Sequence, residues 1–457
     1  MAVATEADSP VRLSLGPSRA TPLRRLLGKR AHRLGWGLLD QAVSSLTNFV
    51  VVLYAARTVD AEQFGAFSLA YITYGFALSA SRGIASGPLQ VRFTGTDLPA
   101  WRRATRNCTG TAAVAGLITG VGVLATALAL NGTARAAFIA LGLTLPGLLL
   151  QDSWRYAFFA LGRGSQAFLN DSVWALALVP ALILLRLTHT HQVFWFVLAW
   201  GAAAAVAAAA GAWQARVIPS PANAWVWVRQ HGDLGVRYLA EYTFINGASQ
   251  LRTYTVGIVV GLAAVGYLQA SVTLMGPFTV IYLGMTLVTV PEAVRALHRS
   301  TRHLLVFSVL ASVALAVLGL AWGLVLLFAL PRGLGGWLLG PIWRPAYPLI
   351  LPQIVTIVGL CFSAGATTGL HALGAARRSL RAAFIASAIC LIGGLVGALS
   401  GGVVGAVWGV AIGTWLGVLV WWWYMHGALR EFNADPRRAA PAAETDVEAG
   451  TAHEPNR

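Results

Sequence analysis

Apolar residues in this chain come in long runs, separated by short polar stretches that carry most of the arginines. The runs lie near 36–57, 63–86, 108–130, 135–160, 167–187 and 192–215, then 235–259, 262–290, 303–330, 346–373, 380–400 and 404–426. Each is close to the ~20 residues a helix needs to cross a bilayer. The pattern predicts an all-α polytopic membrane protein with about twelve transmembrane helices. Polar stretches predict a disordered basic N-terminal tail over 1–33 and a disordered C-terminal tail over 428–457.

The runs repeat in a way that divides the chain. Leu34-Gly35 before the first run corresponds to Leu234-Gly235 before the seventh, and Gly65 in the second to Gly266 in the eighth. Pro88 to Arg92 corresponds to Pro291 to Arg295, and Ala160-Leu161-Gly162 to Ala372-Leu373-Gly374. We expect two six-helix lobes related as parallel repeats, an N-lobe over 34–217 and a C-lobe over 234–427. Parallel repeats suit a transporter with its substrate path between the halves. The linker over 218–233 holds Pro219 and Pro221, which break the sixth helix. Trp225 and Trp227 there suit a short surface helix at the interface.

Composition agrees with a membrane setting: 57% of residues are hydrophobic and 11% charged, against roughly 25% charged in soluble domains. The net charge of +16 would suggest nucleic acid in a soluble chain. Here the arginines gather in alternate loops, at Arg92, Arg102, Arg103, Arg106, Arg163, Arg216, Arg229, Arg295, Arg299, Arg302, Arg377, Arg378 and Arg381. The other loops hold Arg57, Arg135, Arg332 and Arg344, with Arg186 near a helix end. That bias is the positive-inside signature. It places both termini in the cytoplasm, predicts a multi-pass plasma-membrane protein, and leaves no role for nucleic acid.

Polar groups inside the runs carry the candidate chemistry. A mid-bilayer charge costs about 2.5–3.5 kcal/mol, so it must face protein or a watery cavity. At 1.5 Å per residue, Asp40, Arg82, Asp152, Arg155, Asp171 and Glu241 fall in the cytoplasmic third, with Arg252 and Asn48 deeper. One reading pairs Arg82 and Arg155 with Asp40 or Asp152, or Asp152 with Arg155 one turn away, as bundle glue. The other is a hydrated vestibule for a charged headgroup. Its substrate-binding set is Arg82, Arg252, Arg155 and Asn48, with Asp40, Glu241 and Asp152 at the mouth or coupling an ion. Guanidinium forks suit phosphate oxygens, so deep arginines point to an anionic cargo. Gly276-Pro277, Pro146 and Pro180 mark bending points.

Several activities are not indicated. No Gly-rich loop ending in Gly-Lys-Ser/Thr occurs, so ATP hydrolysis in this chain is not expected. Cys108, Cys361 and Cys390 are isolated and read as small buried hydrophobes. The histidines lack metal-ligand spacing, so no metal or other cofactor is implied.

The opening Gly37-Leu38-Leu39-Asp40-Gln41, with Ser44-Ser45, Asn48, Ala56-Arg57 and Glu62-Gln63-Phe64-Gly65, resembles that of polysaccharide flippases. These are the O-antigen and teichoic-acid export proteins of the multidrug/oligosaccharidyl-lipid/polysaccharide (MOP) superfamily. The region from Leu339-Gly340 through Trp343 and Ala346 to Ala372-Leu373-Gly374 resembles their carboxyl-terminal half. The resemblance implies a MATE/MOP-like fold and alternating access. It also implies a polyprenyl-diphosphate-linked glycan as substrate, membrane lipids as surroundings, and a glycan polymerase or ligase as partner; a monomer is the simplest assembly. The chain departs from lipid II flippases in lacking room for two further helices. Two alternatives stay open: a cation-coupled multidrug or metabolite exporter of the same fold, resting on Asp40 and Glu241, and a membrane glycan polymerase or ligase, which would need the 330–347 loop.

Overall fold

The computed structural model describes residues 22–434. Side chains are described within that range except at 22–35, 37, 38, 236–238, 240–246, 248, 249, 283, 284, 286–288 and 332. The side chain of Glu241 therefore lies outside the described residues, as do both chain ends.

Among the described residues the fold is all helical. The N-lobe comprises α1 (Pro22–Thr58), α2 (Ala61–Ser81) with a π-helical turn (Arg82–Ser86) and α3 (Gly87–Phe93), α4 (Leu98–Leu128), α5 (Gly132–Ala160), α6 (Gly164–Leu187) and α7 (Val193–Ala215). The second half comprises α8 (Ala224–Val259), α9 (Leu262–Leu274), α10 (Gly276–Arg299) and α11 (Thr301–Ala329). Short helices α12 (Leu334–Leu339) and α13 (Trp343–Ala346) follow, then α14 (Ile350–Ala372) and α15 (Ala376–Ala434). Eight described stretches are long and apolar enough to cross a membrane, or up to 9 with α9 and α10 taken as one bent span. The last of these, α15, is two arms. Gly401 and Gly402 leave helical geometry and fold the second arm back on the first. The apolar runs at 63–86 and 235–259 are also helical, forming α2 with its π turn and part of α8.

Local chemistry explains where helices start and stop. Asp60 caps α2 by accepting from the Gln63 amide at 2.8 Å and from its Nε2 at 2.9 Å. Burial works against that carboxylate's charge, but these bonds more than offset it and hold Asp60 below its ordinary pKa. At the other end of the bundle, the repeated Ala-Leu-Gly triplets end α5 and α14 in the same way. Gly162 and Gly374 have φ of +74° and +66°. The following amides, Arg163 and Ala375, reach back to Phe158 and Leu370 carbonyls at 2.9 and 3.0 Å. Both are Schellman motifs, so the sequence repeat is a structural one.

Three expectations change. Residues 22–33, expected in a disordered tail, are the first turns of α1, and residues 428–434, expected in the other tail, end α15. No separate surface helix links the lobes. After a 3₁₀ turn (Pro221–Asn223), α8 runs unbroken from linker into seventh span. Its first turns belong to the N-lobe: Trp227 is 1% exposed in a core with Trp101, Leu89 and Val217. Arg92 donates to His231 Nδ1 and pairs with Asp233, both at 2.6 Å. Burial and the Arg92 charge push the His231 pKa below its ordinary value, with Asp233 opposing. Pro146 and Pro180 sit inside α5 and α6 without breaking them. The Gly276-Pro277 bend is present, with α9 and α10 at 51°.

Apolar packing joins the two halves most extensively at one end. One apolar core joins both lobes near the arginine-poor ends of the helices, from Val51 and Phe64 in the N-lobe to Val265, Leu339 and Ile354 in the second half. Toward the arginine-rich ends that core gives way to separate clusters. One forms around Trp101, Trp154 and Phe158, the other around Leu304, Leu370 and Met425.

The paired Schellman caps generate a matched prediction. Nothing lies within 4 Å of a Cβ at Gly162 or Gly374, so alanine there costs only left-handed backbone strain, about 1 kcal/mol. Gly162→Ala and Gly374→Ala should each lower stability by that amount in chemical denaturation in detergent. A neutral effect at either would mean that its cap is not held in this conformation.

Candidate functional site

The intramembrane charges converge at the arginine-rich end of the N-lobe. α1 supplies Asp40 and Gln41, the π turn Arg82, α3 Gln90, α5 Asp152, Arg155, Tyr156 and Phe159, and α6 Asp171. The α5 set is spaced i, i+3, i+4, i+7, one face of a helix. Arg82 owes its position to a local defect. Pro88 has no N–H to give the preceding turn, and the helix widens there, with the Gly87 amide bonding the Arg82 carbonyl.

The pairing crosses the helices rather than running along them. Arg82 binds Asp152 through Nε at 2.9 Å and Nη2 at 2.7 Å. Its guanidinium also lies 5.3 Å from the Tyr156 ring centre. Arg155 binds Asp40 at 2.6 Å, donates to Gln41 Oε1 at 3.0 Å, and has Asp171 Oδ2 3.5 Å from its Nε. Asp152 and Arg155, one turn apart, do not pair with each other. Behind them Gln151 donates to Asp171 Oδ1 at 2.8 Å. Asn170 donates to the Ala207 carbonyl at 2.8 Å and Gln214 Oε1 at 3.2 Å. This amide relay fixes Asp171 on the wall behind Arg155.

Burial orders the charges in depth. The carboxylate side chains of Asp40, Asp171 and Asp152 are 0%, 1% and 7% exposed, whereas Arg155 and Arg82 are 13% and 26% exposed. The acids form a floor, and the guanidiniums lie over it toward a cavity of about 240 Å³ lined by Asp40, Gln41, Arg82, Gln90, Arg155, Tyr156 and Phe159. Three acids face two arginines. Asp40 Oδ1 and Asp171 Oδ2 have no hydrogen-bond partner among the described residues. With every group ionised the cluster carries one surplus negative charge, costly to maintain in a low dielectric.

The remaining sequence candidates lie elsewhere. Asn48 points along its own helix, donating to the Ser44 carbonyl at 3.0 Å, with Oδ1 buried and unbonded among the described residues. Arg252 is not brought to the cluster. Gln250 and Tyr254 of α8 face α2, where the Tyr254 hydroxyl meets that of Thr73. Arg252 lies on the far side of α8, its stem against Gly394 and beside Val410 in the two arms of α15. Among the described residues it forms no ion pair. Gln90, Tyr156 and Phe159 were not among the sequence candidates, although the α5 spacing marks the last two. Among the described residues no group of His, Cys, Asp and Glu side chains is arranged to hold a metal.

No protein-family model and no curated protein matches the sequence. Solved structures do match. An inward-facing multidrug resistance MATE family transporter of the MOP superfamily aligns with a TM-score of 0.67 and 14% identity, over 87% of this chain and 99% of its own. An outward-facing conformation of such a transporter aligns less well, with a TM-score of 0.52 at 14% identity over 87% and 94%. The lipid II flippase MurJ, inward closed, has a TM-score of 0.62 at 11% identity over 93% and 94%. The chain is a multi-pass membrane protein with the fold of the MOP-superfamily transporters.

Proposed function

We propose that this chain flips polyprenyl-diphosphate-linked glycans from the inner to the outer leaflet of the cytoplasmic membrane by alternating access. In this reading the arginine-rich ends of the helices face the cytoplasm, as the positive-inside bias favours. The observation that carries the proposal is the layering of the N-lobe cavity. Arg82 and Arg155 cover the buried acids and face the open space. Each guanidinium uses Nε and Nη2 on its acid or amide partners, which leaves the Nη1 edge to meet a diphosphate. The amides of Gln41 and Gln90 add neutral hydrogen-bonding capacity beside it. The lipid tail stays in the bilayer while the headgroup occupies the cavity. Likeness to a lipid II flippase supports this class of cargo, and likeness to MATE transporters supports export in general.

The surplus carboxylate favours a second element, shared with the alternative of a cation-coupled exporter. A proton held between Asp40 and Asp171 neutralises the cluster. Releasing it when a diphosphate arrives would be unfavourable, so cargo and proton are expected on the transporter together, with proton release following cargo release.

Two measurements separate these roles. Arg82→Lys keeps the charge that neutralises Asp152 but loses the two-pronged geometry. It should leave protein level unchanged and lower surface-glycan display in a flippase-deficient host about tenfold, the loss of roughly 1.4 kcal/mol of headgroup binding. Full display would remove Arg82 from the cargo site. Asp171→Asn, which removes the surplus charge, should preserve folding and abolish the response of transport to an imposed pH gradient in proteoliposomes. A gradient response equal to that of the parent protein would exclude Asp171 as the coupling group.

A further inference from the structure

The arginine-poor end of the molecule is sealed by two features that none of the cavity chemistry requires. The first is the crossing of α2 and α9. Gly65 and Gly266 sit at equivalent places in the repeats, each one turn into its helix, and they meet across the lobe boundary. A Cβ at Gly65 would lie 1.7 Å from the Leu262 carbonyl oxygen. One at Gly266 would lie 2.9 Å from the Ala61 oxygen and 3.1 Å from the Gly65 nitrogen. Each glycine thus rests on the first residue of the other's helix, a reciprocal contact that no larger residue can make.

The second feature is the segment 334–346. It makes up most of the 330–347 loop expected from the sequence, and it folds into α12, a 3₁₀ turn and α13. Leu339, Ile342 and Ala346 are buried, and the segment crosses from the C-lobe onto the end of α1. There the Arg57 guanidinium lies 5.3 Å from the Trp337 ring centre. A Cβ at Gly340 would be 3.3 Å from the Arg57 Cα. Trp337 is itself 63% exposed, so its remaining described role is this clasp.

We infer that these two layers form the gate of the arginine-poor end: the Gly65–Gly266 crossing is the seal, and the 334–346 segment, clasped on Arg57 by Trp337, is the strap that holds it shut. The strap packs on α1 and also on α9, the helix that makes the crossing with α2. The lobes cannot separate at this end without breaking both. A cation–π contact at an exposed site contributes about 0.5–1 kcal/mol, enough to bias a conformational equilibrium and weak enough to yield in each cycle. The Arg57–Trp337 contact is therefore the releasable element. The glycine crossing sets how tightly the lobes close once it forms.

The gate can be read without any cargo, which separates its failure from that of the glycan assignment. Spin labels on Arg135→Cys in the N-lobe and Leu399→Cys near the α15 bend, with Cys108, Cys361 and Cys390 replaced by alanine, report the separation at this end by double electron–electron resonance. The parent protein should show mainly a short-distance population. Trp337→Ala, at a largely exposed position, should raise the long-distance fraction about two- to fivefold. Gly65→Leu should make it dominant, while Arg57→Lys, which keeps the cation, should resemble the parent. Distances unchanged in the folded Trp337→Ala protein would overturn the strap. Unchanged distances in folded Gly65→Leu would overturn the seal.

Discussion

Ion pairs buried in the bilayer-spanning part of the N-lobe are the constraint on which this structure depends. Asp40, Asp152 and Asp171 are almost fully removed from solvent, where an uncompensated carboxylate would not stay charged. Arg82 and Arg155 make their burial tolerable, and the geometry is close: two bonds from Arg82 to one acid, and Arg155 shared between two. These pairs also join elements that apolar packing alone would leave free to slide. Asp40 ties α1 to α5, Asp152 ties the second span to α5, and Asp171 draws in α6. Removing one partner would leave a buried charge alone, a loss of about 3–5 kcal/mol. The electrostatics therefore fix the N-lobe's wall as much as they furnish its cavity.

A proline sets where that wall carries its outermost charge. Pro88 withholds one hydrogen bond, the turn before it widens, and Arg82 stands at the start of the widened turn. The same turn brings Gly83 against the backbone of α8, where a Cβ would lie 2.8 Å from the Leu239 nitrogen. One defect thus serves two ends, presenting a guanidinium to the cavity and letting the second span approach the seventh. The Pro291 counterpart lies inside α10 with no such turn.

How much of this was legible in the sequence depends on the range of each interaction. Hydropathy runs located the spans because lipid exposure acts on every residue. The Ala-Leu-Gly triplets revealed the duplication because a positive-φ cap needs glycine at one fixed place. The inner polar cluster was also legible, since membrane depth follows from counting residues. Which acid meets which arginine was not. Depth gives one coordinate, and the exchange of partners between Arg82 and Arg155 depends on the rotation of three helices about their axes. Arg252 shows the same limit. Its depth is readable, but the side of α8 it occupies is set by how the α15 arms pack, through contacts far apart in sequence. The linker misled for another reason. Pro219 and Pro221 do break the chain, but helical propensity resumes at Ala224 and nothing ends it before Val259, so linker and span are one rod.

That rod gives the two halves unequal parts. The shift that aligns Gly162 with Gly374 places Ala364 and Thr367 where Asp152 and Arg155 stand, so the second lobe has no copy of the ion-pair wall. What the repeats share is the contact of Gly65 on Leu262 and of Gly266 on Ala61. Symmetry is kept where α2 and α9 meet. It is absent where one lobe holds charge. The α8 rod spans this division, anchored in the N-lobe through Trp227 and the Arg92–His231–Asp233 set and packed in the other lobe against α15. α8 thus joins the wall that holds these ion pairs to the half that packs against α15.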